Sequence, residues 1–184
     1  MGNIQVQRFN FKNGEEFIIR TALPSDAEKV LHYIKAIFNE SKYMLTTADE
    51  FQMTVEQERT FLENMYSQPG MLGIIAEYHN EIIGFLNFQN GHKKRTQHIG
   101  EFGMSVEKRF RHQGVGQKLL STLLNWAEKN PVIEKVCLEV FDQNTNAIKL
   151  YEKMGFFEEG RKKRNIKISE NEYYDIICMA KFTK

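Results

Sequence analysis

The chain is poor in the residues that punctuate or cross-link small proteins. Its 184 residues include three prolines, two cysteines and one tryptophan. Two cysteines cannot build a disulfide scaffold, and they hold no structural metal without histidines at ligand spacing. The five histidines, His32, His79, His92, His98 and His112, form no such cluster, so no metal is expected. Cys137 and Cys178 each stand in an apolar, strand-like run, VCLEV and IICMA, and both are expected as buried, reduced thiols. An excess of charge is also missing: 25 Lys plus Arg against 24 Asp plus Glu leaves +1. A dedicated nucleic-acid binder carries a clear basic excess, so no nucleic-acid partner is expected. Apolar runs stay far below the ~20 residues of a membrane span, and Leu72 to Ala76 is typical. The opening MGNIQVQRF has no apolar signal core, and Val6 breaks the myristoylation pattern. These absences predict a cytoplasmic chain with no membrane partner.

What is present fits one globular domain over 1–184. Apolar residues make up 41% and charged residues 27%, enough to bury a core and too balanced for general disorder. No repeat or linker interrupts the chain. Gln5 to Phe11 and Phe17 to Thr21 read as a hairpin around Asn13-Gly14. Pro24-Ser25-Asp26 opens a helix to about Asn39, with Val30, Leu31, Ile34, Ile37 and Phe38 at helical spacing. Residues 40–53 look irregular. Thr54 and Gln57 form a capping box for a helix to about Ser67. Leu72 to Tyr78 and Glu81 to Phe88 flank His79-Asn80 as a second hairpin, and Gln97 to Val106 is a third run. A helix from Gly114 to Lys129, a strand from Val136 to Phe141 and a helix from Asn144 to Met154 follow, the last stopped by Gly155. Two long strands close the chain. The order predicts an α/β fold, a mixed sheet with helices on its faces.

The segment Arg109 to Lys118, RFRHQGVGQK, joins a strand to a helix with glycines at 114 and 116. The first amides of a helix are unpaired and carry partial positive charge. Glycines there let phosphate oxygens reach them. Arg111, His112 and Lys118 add donors around the same turn. A Walker loop is excluded because no Gly-Lys-Ser or Gly-Lys-Thr follows at the required spacing. A dinucleotide fingerprint is excluded because Leu119 stands where its third glycine belongs.

Arg111-x-x-Gly114-x-Gly116 resembles the acetyl-CoA pyrophosphate loop of the GNAT superfamily of N-acetyltransferases. Leu138 to Phe156, LEVFDQNTNAIKLYEKMGF, is similar to the superfamily's second signature. The resemblance spans about residues 17–182. It implies a GNAT fold, a single central mixed sheet that splays between the Gln97–Val106 and Val136–Phe141 strands, with helices on both faces. Acetyl-CoA would be the cosubstrate, its pantetheine arm lying in the gap like an extra strand. Met104, Ser105 and Val106 would give main-chain contacts. Arg111, His112, Gln113, Gly114, Val115 and Gly116 would take the pyrophosphate. Asn144 would meet the pantetheine or acetyl end, and Ala147 would let the arm pass.

The implied reaction moves acetyl from the thioester to an amine acceptor. A lysine-like amine has a pKa of ~10.4, so presenting it unprotonated at pH 7 costs ~4.6 kcal/mol. The resemblance makes Tyr151 the acid at the thioester sulfur. Glu139 and Glu101 are rival bases, with Glu139 slightly preferred because its offset from Asn144 matches the ribosomal-protein alanine acetyltransferase branch. The alternative to an enzyme is a non-catalytic acyl-CoA-binding domain, which Asn144, Tyr151 and the two carboxylates speak against. Lys93-Lys94-Arg95 and Arg161-Lys162-Lys163-Arg164 read as solvated turns or a charged strand edge; the sharper reading is attraction of the CoA 3′-phosphate or an acidic acceptor. The irregular stretch 40–53 is where this fold builds its acceptor pocket. A homodimer is compatible with the resemblance.

Overall fold

The computed structural model describes residues 2–184. The hairpin expected at the start is present as β1 (Gln7–Asn10) and β2 (Glu16–Thr21). Pro24–Asp26 forms a single 3-10 turn before α1 (Ala27–Glu40). Asp26 explains the break: its carboxylate accepts from the Leu23 amide at 2.8 Å and from both terminal nitrogens of Arg20 at 2.7 and 2.8 Å. The capping box is as predicted. Gln57 N donates to Thr54 Oγ1 at 3.2 Å, Thr54 N donates to Gln57 Oε1 at 2.8 Å, and α2 (Val55–Ser67) begins there.

The remaining elements are β3 (Met71–Tyr78), β4 (Glu81–Asn90), β5 (Ile99–Val106), α3 (Val115–Lys129), β6 (Lys135–Phe141), α4 (Thr145–Lys153), β7 (Phe157–Lys167) and β8 (Tyr173–Phe182). His79 and Asn80 both take positive φ, 48° and 65°, the turn that matches strand twist. β5 starts two residues later than expected, because the Thr96 and Gln97 amides both bond the Lys93 carbonyl at 2.8 Å and hold a turn. Gly155 stops α4 at φ +87°.

All eight strands form one sheet in the order β1-β2-β3-β4-β5-β6-β8-β7. Only β5 and β6 pair in parallel. Each face of the sheet is packed. Leu119, Leu120, Leu123 and Leu124 of α3 bury against Leu72, Ile74, Leu86 and Phe88. Val30, Tyr33 and Ile37 of α1, with Leu62 of α2, bury against Ile75 and Phe85 on the opposite face. Apolar residues at i, i+3 and i+4 make these helical faces, and alternation along β3 and β4 supplies both.

The two cysteines depart from expectation. Cys137 and Cys178 are free and half-buried. Alternation places Cys137 and Glu139 opposite Val136, Leu138 and Val140, on a face that no helix covers fully. The basic run Arg161–Arg164 lies within β7, the outermost strand.

Candidate active site

The site begins where β5 and β6 part. Their pairing runs from Ile99↔Lys135 to Glu101↔Cys137 and ends there, although β5 continues to Val106. β6 stays with β8 along its whole length, Lys135↔Phe182 to Phe141↔Ile176. A wedge therefore opens inside the sheet. On the other side of β5, Glu107 N donates to Ile83 O and Gly91 N donates to Ile99 O, both at 3.0 Å. Hydrogen-bonded pairs alternate along an antiparallel ladder, so residues 101, 103 and 105 turn their main-chain groups to β4. Residues 102, 104 and 106 turn theirs toward the wedge. Met104 and Val106 thus stand where a strand-like ligand would bond, and the Val106 carbonyl already accepts from Arg111 Nε at 2.9 Å. Ser105 differs from its expected main-chain role. Its amide and carbonyl belong to β4, and its hydroxyl lies 3.1 Å from that of Tyr33.

The loop expected to hold phosphate lies beyond the end of β5. His112 and Gly114 are left-handed, at φ 61° and 92°. No side chain caps α3, and nothing lies within 4 Å of where a Gly114 Cβ would be. The first amides of α3 therefore face open space, the arrangement an anion needs. The cations around this turn are placed less directly than the sequence suggests. Arg111 Nη2 donates to Glu40 Oε1 at 2.7 Å, and the same oxygen accepts from the Lys108 amide at 3.0 Å. Lys118 Nζ sits 4.9 Å from the Phe9 ring. Gln113 Nε2 donates to the Arg109 carbonyl at 2.9 Å, and the Val115 side chain is core. A side chain at Gly116 would meet only ordinary contacts, the nearest at 3.5 Å from its Cβ position.

Between the wedge and the α1–α2 face lies a cavity of about 710 Å³, within the range that holds small ligands. Glu101, Met104, Ser105, Glu139, Asn144 and Tyr151 all line it. The irregular segment between α1 and α2 contributes Tyr43, Met44, Leu45, Thr46, Phe51 and Met53, so the stretch expected to build an acceptor pocket does form a wall. Tyr43 Oη closes over it, donating to the Gln143 carbonyl at 2.9 Å. Asn144 caps α4, its Oδ1 accepting from the Ala147 amide at 3.4 Å. Ala147 packs at the core margin and does not line the cavity.

Tyr151 is 7% exposed and wedged edge-on between Phe102 and Phe156. Burial pushes its phenol up to about 12. The two carboxylates share one sheet face. Glu139 accepts from Lys162 Nζ and lies 3.9 Å from Cys178 Sγ. Burial, and then the charge of Glu139, raises the Glu101 carboxyl, while Lys162 opposes the rise. The cluster Arg161–Arg164 is thus engaged: Lys162 holds Glu139, and Arg161 reaches Asp175 and Glu158 at 3.6 Å. The other cluster, Lys93–Arg95, is exposed in the β4–β5 loop.

Sequence reasoning missed Glu58 of α2, which is 1% exposed, and Asn87 and Gln89 of β4; all three line the cavity. A signal for Glu58 was present. It occupies the same helical stripe as Val55, Leu62 and Met65, where an apolar residue is the ordinary choice.

Comparison with known proteins agrees with this geometry. A sequence model of the Acetyltransferase (GNAT) family matches residues 32–156. The chain is 26% identical over 166 residues to the L-amino acid N-acetyltransferase AaaT of Escherichia coli K12, covering 90% of this chain and 98% of that protein. A GNAT-family acetyltransferase from Streptococcus pneumoniae superposes with a TM-score of 0.87 at 28% identity, covering 90% of this chain and 99% of the other. The yncA structure from Salmonella typhimurium, solved with its cofactor acetyl-CoA, superposes with a TM-score of 0.80 at 16% identity, covering 92% and 95%. At that identity the likeness is one of fold. A sheet that opens between two parallel strands, a glycine-bearing helix start beyond the opening and a family match over more than half the chain lead to one conclusion: the chain belongs to the acetyltransferase (GNAT) family and is an acetyl-CoA-dependent N-acetyltransferase.

Proposed function

We propose that a primary amine held in the 710 Å³ cavity attacks the acetyl thioester directly, with Glu101 as general base and Tyr151 as donor to the sulfur. The observation that supports this most is the wedge itself. It brings the unpaired edge of β5, Glu101 and Tyr151 onto one cavity. The amide of Met104, turned into the wedge, is the donor for the oxygen of the acetyl group as negative charge develops on it.

We infer Glu101 rather than Glu139, which the sequence slightly favours, as the base. Glu139 is held by Lys162 through Oε1, which Cys178 Sγ also approaches, so this carboxylate is already part of an ion pair on the sheet. Glu101 has no hydrogen-bonding cation among the described residues, and burial raises its carboxyl, which makes it a stronger base than an ordinary carboxylate. Tyr151 acts by hydrogen bonding rather than by full proton transfer. A phenol pushed up to about 12 by burial is a weaker acid than a thiol at ~8.5, so full transfer of its proton to the thiolate runs uphill. The hydroxyl therefore stabilises developing thiolate charge, and the amine's proton leaves through Glu101.

The arms of the cofactor fall to the remaining groups. Met104 and Val106 bond the pantetheine, the amides at the start of α3 take the pyrophosphate, and Asn144 meets the acetyl end. The chain acts as a single domain. Release of CoA, followed with a panel of amines and amino acids, tests the activity. Comparing Glu101→Gln with Glu139→Gln assigns the base: Glu101→Gln should lose roughly 100-fold or more in kcat/KM at neutral pH and recover as rising pH deprotonates the amine. A larger loss in Glu139→Gln would return the role to that residue.

A further inference from the structure

The cavity holds one group that nothing in the fold satisfies. Glu58 projects from α2 into the helical wall and is 1% exposed. Its Oε1 is the single buried side-chain oxygen or nitrogen without a hydrogen-bond partner among the described residues. A buried polar atom left unpaired is costly and rare, and a catalytic role, a water or an ion is among its few explanations; a cationic group of a ligand would satisfy it in the same way as an ion. Two further features bear on the ligand. The wall around Glu58 is apolar: Ile34, Phe38, Phe51, Met53 and Phe61. No Lys, Arg or His lines the cavity among the described residues, whereas Glu58, Glu101 and Glu139 all do.

That charge pattern disfavours an acceptor bearing a free carboxylate, since no side-chain cation of the lining would receive it and Glu101 and Glu58 stand against it, Glu139 being paired with Lys162. It favours an acceptor carrying positive charge at both ends. We propose that the acceptor is a diamine, one nitrogen presented to the thioester and a second, cationic nitrogen received by Glu58 across an apolar spacer. The proposal rests on the acetyltransferase reading and names the substrate class for that same site. Glu101 and Glu139 lie on the sheet wall, while Glu58 lies on the helical wall with the aromatic residues. One end of the acceptor is thus placed for proton loss and the other for charge pairing, and the spacer fills the apolar region between. Burial pushes the Glu58 carboxyl up to about 7, so at neutral pH it ionises readily when a cation arrives and is neutral in part when none is there.

Matched amines test this. Hexamethylenediamine is compared with hexylamine, and para-xylylenediamine with para-methylbenzylamine, by CoA release from acetyl-CoA. The wild-type chain should prefer each diamine by roughly ten- to a hundred-fold in kcat/KM, the range a charge-assisted hydrogen bond supports. A factor of about two would be only the statistical advantage of two amines. The reaction should stop at the monoacetyl product, because acetylation removes the second charge. Glu58→Gln should collapse the diamine preference toward the statistical ratio. Binding is read separately by calorimetric titration of each amine into CoA-saturated protein, where the same preference and the same loss are expected without turnover. Equal rates and affinities for diamine and monoamine in the wild type would overturn the assignment. So would a preference that survives Glu58→Gln, or a variant that loses both amines in equal proportion. If no amine turns over but Glu58-dependent diamine binding persists, the acetyl-transfer reading fails while Glu58 keeps its role as the diamine-binding group.

Discussion

Replacing Glu58 by methionine should stabilise the protein, and should do so more as the pH rises. The side chain is 1% exposed and Oε1 has no partner. Burial alone raises its carboxyl from 4.5 to about 7. An acid held above its unfolded pKa gains nothing for the folded state at low pH, where both states are protonated. Between 4.5 and about 7 the unfolded chain has lost its proton while the folded chain keeps it, so folding stability falls with pH through that window. At ~1.4 kcal/mol per unit, the cost reaches about 3 kcal/mol by pH 8 and is under about 1 kcal/mol at pH 5. Methionine matches the length, suits a helix and fills an apolar gap. The difference between Glu58→Met and wild type should therefore grow by about 2 to 3 kcal/mol from pH 5 to pH 8. Urea unfolding at each pH would read this as a shift in midpoint at constant slope, and at pH 8 the melting temperature should rise by roughly 6–12 °C. A difference that stays flat between pH 5 and pH 8 would refute the burial argument, and destabilisation at pH 8 would show that Glu58 has a partner. A variant that is more stable yet loses the diamine preference would place stability and specificity in opposition at one side chain.

Two further outcomes concern the cofactor side. Gly114→Val puts a β-branched residue at φ +92° in front of the free amides of α3. It should abolish the acetyl-CoA-dependent rise in melting temperature, and a folded variant that still binds normally would remove the phosphate role from this loop. Tyr151→Phe keeps the ring between Phe102 and Phe156 and deletes only the hydroxyl. It should lower kcat roughly 10- to 100-fold with little change in acetyl-CoA affinity, and unchanged turnover with chemistry rate-limiting would leave Tyr151 as packing alone.

Most of the fold could be read from local chemistry. The Thr54–Gln57 box, the His79-Asn80 turn and the stop at Gly155 are short-range devices, and each falls where the sequence puts it. The boundaries that moved did so for reasons outside their own segments: Arg20 captures Asp26 and delays α1, and the Lys93 carbonyl holds a turn ahead of β5. The cavity residues were legible where a motif names them, as at Asn144 and Tyr151. Which way a strand presents its main-chain groups is not written in residue identity. The motif alone therefore puts Ser105 beside Met104 and Val106, whereas its main-chain groups pair with Phe85 in β4. The preference between Glu101 and Glu139 turned on Lys162, twenty-three residues beyond Glu139 and two strands away. Cys137 and Cys178 misled for a related reason. An apolar run predicts burial on average, but alternation sends every second side chain to the other face.

The parting of β5 from β6 also gives the protein a frayed seam in the middle of its sheet instead of at the margin. Exposed strand edges ordinarily invite other chains to pair with them, and proteins guard such edges with charge or short length. β7, at the outer rim, carries that protection in Arg161, Lys162, Lys163 and Arg164. The seam between β5 and β6 has no such guard along Phe102 to Val106, but it is flanked on both sides by strands of its own sheet. A neighbouring protein would have to enter edgewise through a slot, whereas a thin, flexible chain can thread it. The location of the defect thus sorts visitors by thickness, and the same unpaired groups that would make an outer strand adhesive become here a selective receptacle.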